Sequence, residues 1–159
     1  SLPPFLLFSL QAVEKQGVAA YGSHSLFLFY SIEGNNKMDL QITNSGGLNI
    51  AVIFSTDHLF TDVSSALDFM STVQYETECT RIAVNKEALP GDFFKLSTRL
   101  AGEILQKFIN YQVKFAVYGD FSSYTQGPLH DFIYESNQGN DFFFVPNKED
   151  AVQVLALAK

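Results

Sequence analysis

Polar and ionisable side chains that could carry acid–base or binding chemistry follow the ends of several apolar runs. These positions hold a histidine, carboxylates, hydroxyls, amides and lysines: Asp57, His58, Asn85, Lys86, Glu87, Asp120, Ser122, Ser123, Asn147 and Lys148. In sheets with parallel strands, ligands bind beyond the carboxyl ends of the strands. If the apolar runs are parallel strands, this set predicts where a binding or catalytic site lies.

Asp57 and His58 form the most suggestive pair for catalysis. An aspartate can orient an imidazole so that the ring acts as a general base. Adjacent residues on an extended chain point to opposite faces, however, so the two side chains need not meet. One hypothesis is therefore a small-molecule-binding protein or hydrolase-like enzyme that uses Asp57, His58, Asp120 and Ser122, and the other is that these residues are exposed loop positions.

Motifs that would assign a reaction are missing from the sequence. There is no Gly-x-Ser-x-Gly elbow, no phosphate-binding Gly-rich loop and no dinucleotide fingerprint. His24, His58 and His130 do not have metal-ligand spacing with one another. We therefore assign no catalytic residue, and we expect neither a metal nor a cofactor.

A second pair of segments is the preferred candidate for a binding site. Its residues are hydroxyls and acids at a predicted helix start and in a loop after a buried strand: Asp92, Ser97, Thr98, Asp120, Ser122 and Ser123. Helix starts present unpaired N–H groups that attract anions. The two segments meet at one sheet edge if the strands ending at Val84 and Tyr118 lie side by side in parallel. Solvated turns with a capping serine are the alternative interpretation, and phosphorylation of these hydroxyls is left open.

Composition restricts the class of protein. The chain has 159 residues, of which 47% are hydrophobic, and a net charge of −7. This length is typical of one domain, and no stretch approaches the roughly 20 unbroken apolar residues of a membrane-spanning helix. An acidic protein repels phosphate backbones. We therefore expect no membrane and no nucleic-acid partner.

The single cysteine, Cys79, indicates the compartment. One cysteine cannot form an intramolecular disulfide, which is typical of a reducing compartment and predicts a cytoplasmic protein. The neighbouring acids Glu76 and Glu78 would raise the thiol pKa. We therefore do not expect Cys79 to act as a nucleophile.

The first 37 residues differ from the rest of the chain. Their four charges cancel, so the net charge of −7 arises entirely from residues 38–159. We interpret residues 1–37 as an atypical N-terminal extension, with Met38 as the natural start, and residues 38–159 as a single α/β domain. A structural alternative is a helix at about 5–15 and a strand at about 25–32 that turns at 34–36 into a hairpin with residues 39–43.

Hydrophobic periodicity predicts alternating strands and helices. Strands are predicted at 39–43, 50–54, 81–84, 114–118 and 142–145, and helices at 62–75, 92–111, 128–138 and from 147 onward. This order predicts the α/β class, with a single mixed sheet that has a parallel part and is flanked by about four helices. The apolar segment 26–30, or an exposed edge strand beside Leu40 and Ile42, predicts a homodimer.

Three segments, 95–108, 119–122 and 131–137, resemble an uncharacterised bacterial family, domain of unknown function 4180. The resemblance covers about residues 38–158 and implies a bacterial origin. The order of elements also resembles the STAS fold of anti-sigma-factor antagonists, in which a phosphorylated Ser or Thr lies at a helix start. Asp92 matches the aspartate of that motif, whereas Phe93 and Phe94 stand where its hydroxyls would be. This likeness, together with the absence of a catalytic motif, predicts a non-enzymatic regulatory or protein-interaction module, for which a protein partner is expected.

Overall fold

The computed structural model describes residues 25–31 and 37–159, with side chains from residue 38 onward. The predicted helix at 5–15 and the turn at 34–36 lie outside these residues. The described strands form one sheet in sequence order: β1 (Ser25–Ser31), β2 (Lys37–Ser45), β3 (Leu48–Ser55), β4 (Arg81–Asn85), β5 (Lys114–Tyr118) and β6 (Phe142–Val145). The first two pairings are antiparallel, and the next three are parallel. The predicted mixed sheet is confirmed.

The antiparallel part is a meander of β1, β2 and β3. Gly46 and Gly47 connect β2 to β3 with φ angles of 62° and 84°. Two consecutive residues with positive φ are the requirement of a type I′ hairpin turn, which glycine adopts without strain. β1 pairs with β2 from Ser25 opposite Thr43 to Ser31 opposite Lys37. Part of the segment interpreted as an extension therefore lies in the sheet.

Helices cover both faces of the parallel part. They are α1 (Val63–Thr77), α2 (Leu100–Asn110), α3 (Pro128–Gln138) and α4 (Lys148–Leu157). Parallel strands that follow one another in order, with right-handed crossovers, place their connecting helices on one face. Accordingly, α1, α2 and α3 share one apolar core, whereas α4 packs on the opposite face. About four flanking helices were expected from the sequence.

Alternating side chains of the strands supply the two cores. Phe115 and Val117 of β5 join the core beneath α1 to α3, while Ala116 joins the core beneath α4. In β6, Phe144 faces the three-helix layer and Phe143 faces α4. The apolar run of β6 therefore has both of its faces covered, which is typical of a strand in a parallel sheet.

Side-chain caps start two of the helices where the sequence predicted them. The Asp62 carboxylate accepts hydrogen bonds from the Ser65 N–H and hydroxyl at the start of α1. The Asn147 side chain accepts one from the Asp150 N–H at the start of α4. Both capping residues satisfy N–H groups that have no partner within the helix.

The helix predicted at 92–111 is wrong in its first part. Two 3₁₀ turns, Gly91–Phe94 and Leu96–Thr98, occupy that part, and α2 begins at Leu100. The Thr98 hydroxyl bonds to backbone carbonyls of Asp92 and Lys95, which closes the second turn. Arg99 then adopts a left-handed conformation with a φ of 63°. Asp92 therefore does not lie at the start of an α-helix, although apolar residues of these turns still pack against the core.

An asparagine of α3 closes one edge of the sheet. The Asn137 amide accepts a hydrogen bond from the Phe144 N–H at 2.8 Å and donates to the Phe144 carbonyl at 3.0 Å. These are the two backbone groups that a further strand would need in order to pair with β6 at this position. The outer edge of β6 is therefore blocked at its centre.

Candidate functional site

Two loops meet where β4 and β5 end. The two strands pair in parallel, with Asn85 opposite Tyr118, so the segments that follow them start side by side. The first segment continues through Lys86 to the 3₁₀ turns at 91–98, and the second is the loop at 119–127. The predicted juxtaposition of these segments is present in the fold.

Lys86 extends from the end of β4 into a group of three aromatic rings. Its Nζ atom lies 4.8 Å from the ring centroid of Tyr124, 5.2 Å from that of Phe121 and 5.8 Å from that of Phe94. These distances are within the range of cation–π attraction. The rings of Phe94, Phe121 and Tyr124 are called the Lys86 cage below. They come from both loops, so the ammonium group connects the two.

One hydrogen bond, and the absence of a side chain at Gly119, allow the lysine to adopt this position. Lys86 Nζ donates to the Asp120 carbonyl at 2.9 Å. The lysine stem crosses Gly119 so closely that a Cβ atom at residue 119 would lie 2.7 Å from the Lys86 Cβ. Only glycine leaves room for this stem at residue 119.

An open hollow of about 430 Å³ lies beside the cage. Its lining combines two carboxylates, one ammonium group, aromatic rings and aliphatic surface from both loops: Lys86, Glu87, Leu89, Gly91, Phe94, Asp120 and Tyr124. A ligand in the hollow would therefore meet apolar and charged groups together. Of the six preferred site residues, Asp120 lines this hollow directly.

The Asp120 loop holds its polar groups in a local turn. The Asp120 carboxylate accepts hydrogen bonds from the Ser122 N–H at 2.9 Å and from the Ser122 hydroxyl at 2.5 Å. These bonds hold the pKa of the Asp120 carboxyl below its usual range. Ser123 is exposed next to them. Asp120 is thus an ionised, solvent-facing group at the edge of the hollow.

The preferred residues of the other segment lie on its outer side. Asp92 and Lys95 form an exposed ion pair at 3.9 Å, Ser97 is exposed, and the Thr98 hydroxyl is engaged with backbone carbonyls. Phe94 and Gly91 line the hollow in their place. The two segments come together, but through aromatic rings and backbone and not through the predicted hydroxyls.

Asp57 and His58 lie on an exposed loop after β3. The hydrogen bonds of Asp57 involve its backbone, because its N–H and its carbonyl both bond to the Ser55 hydroxyl. No hydrogen bond joins the carboxylate of Asp57 to the imidazole of His58 among the described contacts. The arrangement of a general-base pair is therefore not formed here.

Asn85 has a structural role that the sequence did not reveal. Its buried amide accepts from the Ser55 N–H at 2.8 Å and donates to the Ser55 carbonyl at 2.7 Å. It also donates to the Glu87 carboxylate at 3.2 Å. These contacts bridge the ends of β3 and β4 beyond the last pair of residues that the two strands share in the sheet. Only burial, which a single sequence does not give, distinguishes this asparagine from a ligand-binding one.

Tyr118 reinforces the same strand ends from the α4 face. Its hydroxyl donates to the Ile53 carbonyl at 2.8 Å. Burial, and then the negative charges of Glu87, Asp39 and Glu149, hold the pKa of this phenol far above its usual range. Tyr118 therefore remains a neutral donor and is not a candidate base.

Cys79 and the acidic residues do not form a reactive centre in the described part of the chain. Cys79 is buried, and this burial raises the pKa of its thiol. Within residues 25–31 and 37–159, no three His, Cys, Asp or Glu side chains are grouped as a metal site. The described helices also include none that combines the length and apolar character needed to cross a bilayer.

Comparison with known proteins identifies a family. No curated protein and no solved structure gives a significant match, so the likeness to the STAS fold stays a prediction. Residues 45–155 match the model of a protein family. The matched region starts at the end of β2 and includes both loops of the hollow. The chain therefore belongs to the family described as a domain of unknown function, DUF4180.

Proposed function

We propose that this chain is a non-enzymatic regulatory module of the bacterial cytoplasm that binds a protein partner. The proposed partner surface comprises the two loops at residues 92–98 and 120–124. The observation that carries the proposal is the Lys86 side chain, which contacts rings from both loops and bonds to the Asp120 carbonyl. Two separate loops thereby present one continuous surface. Loops positioned by a fixed sheet are typical binding surfaces.

The state of the polar groups favours binding over catalysis. A hydroxyl nucleophile needs a base that takes its proton, and the lowered pKa of the Asp120 carboxyl makes it a poor base for Ser122. The carboxylate of Asp120 bonds to Ser122, that of Asp62 bonds to Ser65, and the Asn85 amide bonds to Ser55. Each of these contacts supports a turn, a cap or a strand end. The groups are therefore used to shape the surface.

A homodimer and a reducing compartment are further parts of the proposal. β1 has no strand on its outer side among the described residues, and it contains no charged residue. Such an edge is a template for pairing with another chain. Light scattering tests the dimer, and a purely monomeric chain contradicts it.

The buried free thiol of Cys79 supports the proposed location in the cytoplasm, where thiols stay reduced.

Affinity capture from the native host tests the partner surface. The bait is the full chain, compared with the variants Asp92→Ala, Asp120→Ala and Ser122→Ala, and quantitative mass spectrometry identifies the retained proteins. Thr80→Ala and Asp141→Ala serve as controls, because both positions immediately precede strands at the opposite edge of the sheet. A partner that the controls retain and the loop variants lose supports the proposal. Equal capture by all variants contradicts it.

The volume of the hollow keeps a small-molecule-binding protein or hydrolase-like enzyme as the second candidate function. About 430 Å³ is within the range of ligand pockets. Mass spectrometry of compounds released from the denatured chain tests this candidate. A compound that is retained by the parent and by Asp57→Ala, but lost by Asp120→Ala, favours the second candidate over the partner surface.

A further inference from the structure

We propose that the Lys86 cage is a binding site for an organic cation, and that Lys86 occupies this site in the free protein. The ligand is an N-methylated ammonium group carried by the protein partner, as on a methylated lysine side chain. This inference rests on the proposed function, because it names the chemistry by which that partner is recognised.

The composition of the cage carries the argument. Three ring faces lie within 5.8 Å of one nitrogen position, and the Asp120 carbonyl lies 2.9 Å from the same position. Aromatic faces carry negative potential, and several of them around one point form the recognised site for ammonium ligands. The group that already occupies this point is an alkylammonium. The cage therefore holds the ligand class that we propose, supplied by its own chain.

Charge at the hollow favours a cation over an anion. Glu87 and Asp120 line the hollow together with Lys86. When the lysine side chain leaves the cage, two carboxylates and three ring faces remain. The whole chain has a net charge of −7, which also attracts cations and repels anions. An anionic ligand would have to overcome both carboxylates.

Lys86 is held weakly enough to be exchanged. Within the part of the chain that the structure describes, its Nζ makes one hydrogen bond, and the side chain is only partly buried beside an open hollow. A primary ammonium is strongly hydrated and sits on a flexible stem, so it is readily returned to water. An N-methylated ammonium has fewer N–H groups to hydrate and more surface to place against the rings. The incoming cation therefore competes favourably with Lys86.

Titration with tetramethylammonium chloride tests the cage directly. Binding is followed by the NMR signals of the Tyr124 ring, with sodium chloride at matched ionic strength as the reference. We expect the Lys86→Ala variant to bind the probe at least about tenfold more tightly than the parent, because its cage is vacant. Lys86→Gln provides a second vacated cage if the alanine variant does not fold. A folded vacated variant that shows no tighter binding than the parent overturns the proposal.

Ring variants in the Lys86→Ala background locate the binding. Phe94→Ala is expected to lose most of the probe affinity, whereas Tyr134→Ala removes an exposed ring outside the cage and is expected to retain it. Here binding is followed on Tyr124 in both variants. Equal affinity of the Phe94→Ala and Tyr134→Ala variants contradicts the assignment to the cage.

A further comparison identifies the source of the cation and separates the two proposals. Tighter binding of N-acetyl-trimethyl-lysine methylamide than of choline supports a protein as the source. Tighter binding of choline overturns that source and indicates a free small cation.

If the probe binds the cage but affinity capture finds no loop-dependent partner, the proposed function fails and the cation site stands. If a loop-dependent partner is found but the probe does not bind, the cation site fails alone.

Discussion

Asn85 and Lys86 are consecutive residues at the end of β4, yet their side chains serve opposite purposes. The Asn85 amide is buried, and each of its polar atoms bonds within the protein. The Lys86 ammonium lies against rings of two loops beside an open hollow. The difference shows how one strand end can combine a fixed support with an exchangeable contact. Burial decides the role of each residue, because water can replace the contacts of Lys86 but not those of Asn85.

The largest loss of stability is expected from removing the Asn85 side chain. Asn85→Ala leaves the N–H and carbonyl of Ser55 without their partners in a buried place. We expect a loss of about 2–4 kcal/mol in the free energy of unfolding, measured with urea.

Asn137→Ala is the matched control for this change. Asn137 makes the same two backbone contacts to Phe144, but its own side chain is exposed, so water can take its place. A loss of about 1 kcal/mol is expected for this variant. Equal losses in the two variants would contradict the role assigned to burial.

The second effect concerns the room that Gly119 leaves for Lys86. In Gly119→Ala the new methyl group would lie 2.7 Å from the Lys86 Cβ, so the lysine stem must move away. We expect a loss of about 1–3 kcal/mol on urea unfolding, together with a changed chemical shift of the Tyr124 ring.

Gly102→Ala serves as the control, because we expect it to raise the free energy of unfolding. Gly102 lies within α2, where an added Cβ would have no atom of the described residues within 4 Å apart from its chain neighbours and the nearby backbone of the helix itself. Alanine is the better helix former, so a gain of up to about 1 kcal/mol is expected. If Gly119→Ala were as harmless as Gly102→Ala, the stem of Lys86 would not be confined by the glycine.

A third effect depends on pH, through Tyr118. The raised pKa of its phenol means that the folded chain binds this proton more tightly than the unfolded chain does. The resulting stability is fully present below the usual tyrosine pKa of about 10 and is lost as pH rises above that value.

Comparison of the parent with Tyr118→Phe tests this prediction. At pH 7 the variant is expected to be about 1 kcal/mol less stable, because the hydrogen bond to the Ile53 carbonyl is gone. From pH 9 to 11, the free energy of unfolding should fall less steeply in the variant than in the parent. Parallel pH profiles would show that Tyr118 ionises equally in both states.

The smallest loss of stability is expected from removing the charge of Lys86. Lys86→Met keeps a long unbranched stem and removes the charge, at a cost of about 0.5–1 kcal/mol. The same change in a Tyr124→Ala background should cost less, and the difference between the two costs measures the coupling of the ammonium to the ring. A cost as large as that of Asn85→Ala would contradict the view that Lys86 is replaceable.

Local patterns in the sequence were sufficient for the framework of the fold. Hydrophobic periodicity predicted the strands at 39–43 and 50–54 and the helix at 62–75, because each depends on neighbouring residues alone. The segment at 92–99 was misassigned for the same reason. Its apolar spacing suits a helix, but 3₁₀ turns bury Phe93 equally well, and Thr98 closes them.

The sequence predicted where the site lies in the fold, but it did not predict the side-chain contacts within the site. The sequence identified Lys86 and Asp120 as strand-end residues, because that position follows from the strand order. It did not predict that rings of residues 94, 121 and 124 converge on one nitrogen atom, since this depends on two loops that are far apart in sequence. Local polarity also made Asn85 look like a ligand-binding residue, whereas it is buried.

The amide of Asn137 also limits how many copies of the chain can join through their sheets. Because it bonds to both backbone groups of Phe144, a strand from another molecule cannot pair there without first displacing it. Head-to-tail addition of β1 to β6, which would propagate into a filament, is therefore disfavoured. In the proposed homodimer, contact through β1 is self-limiting, since a twofold pair uses in each molecule the edge that has no strand beside it among the described residues. The proposed assembly would therefore end at two copies.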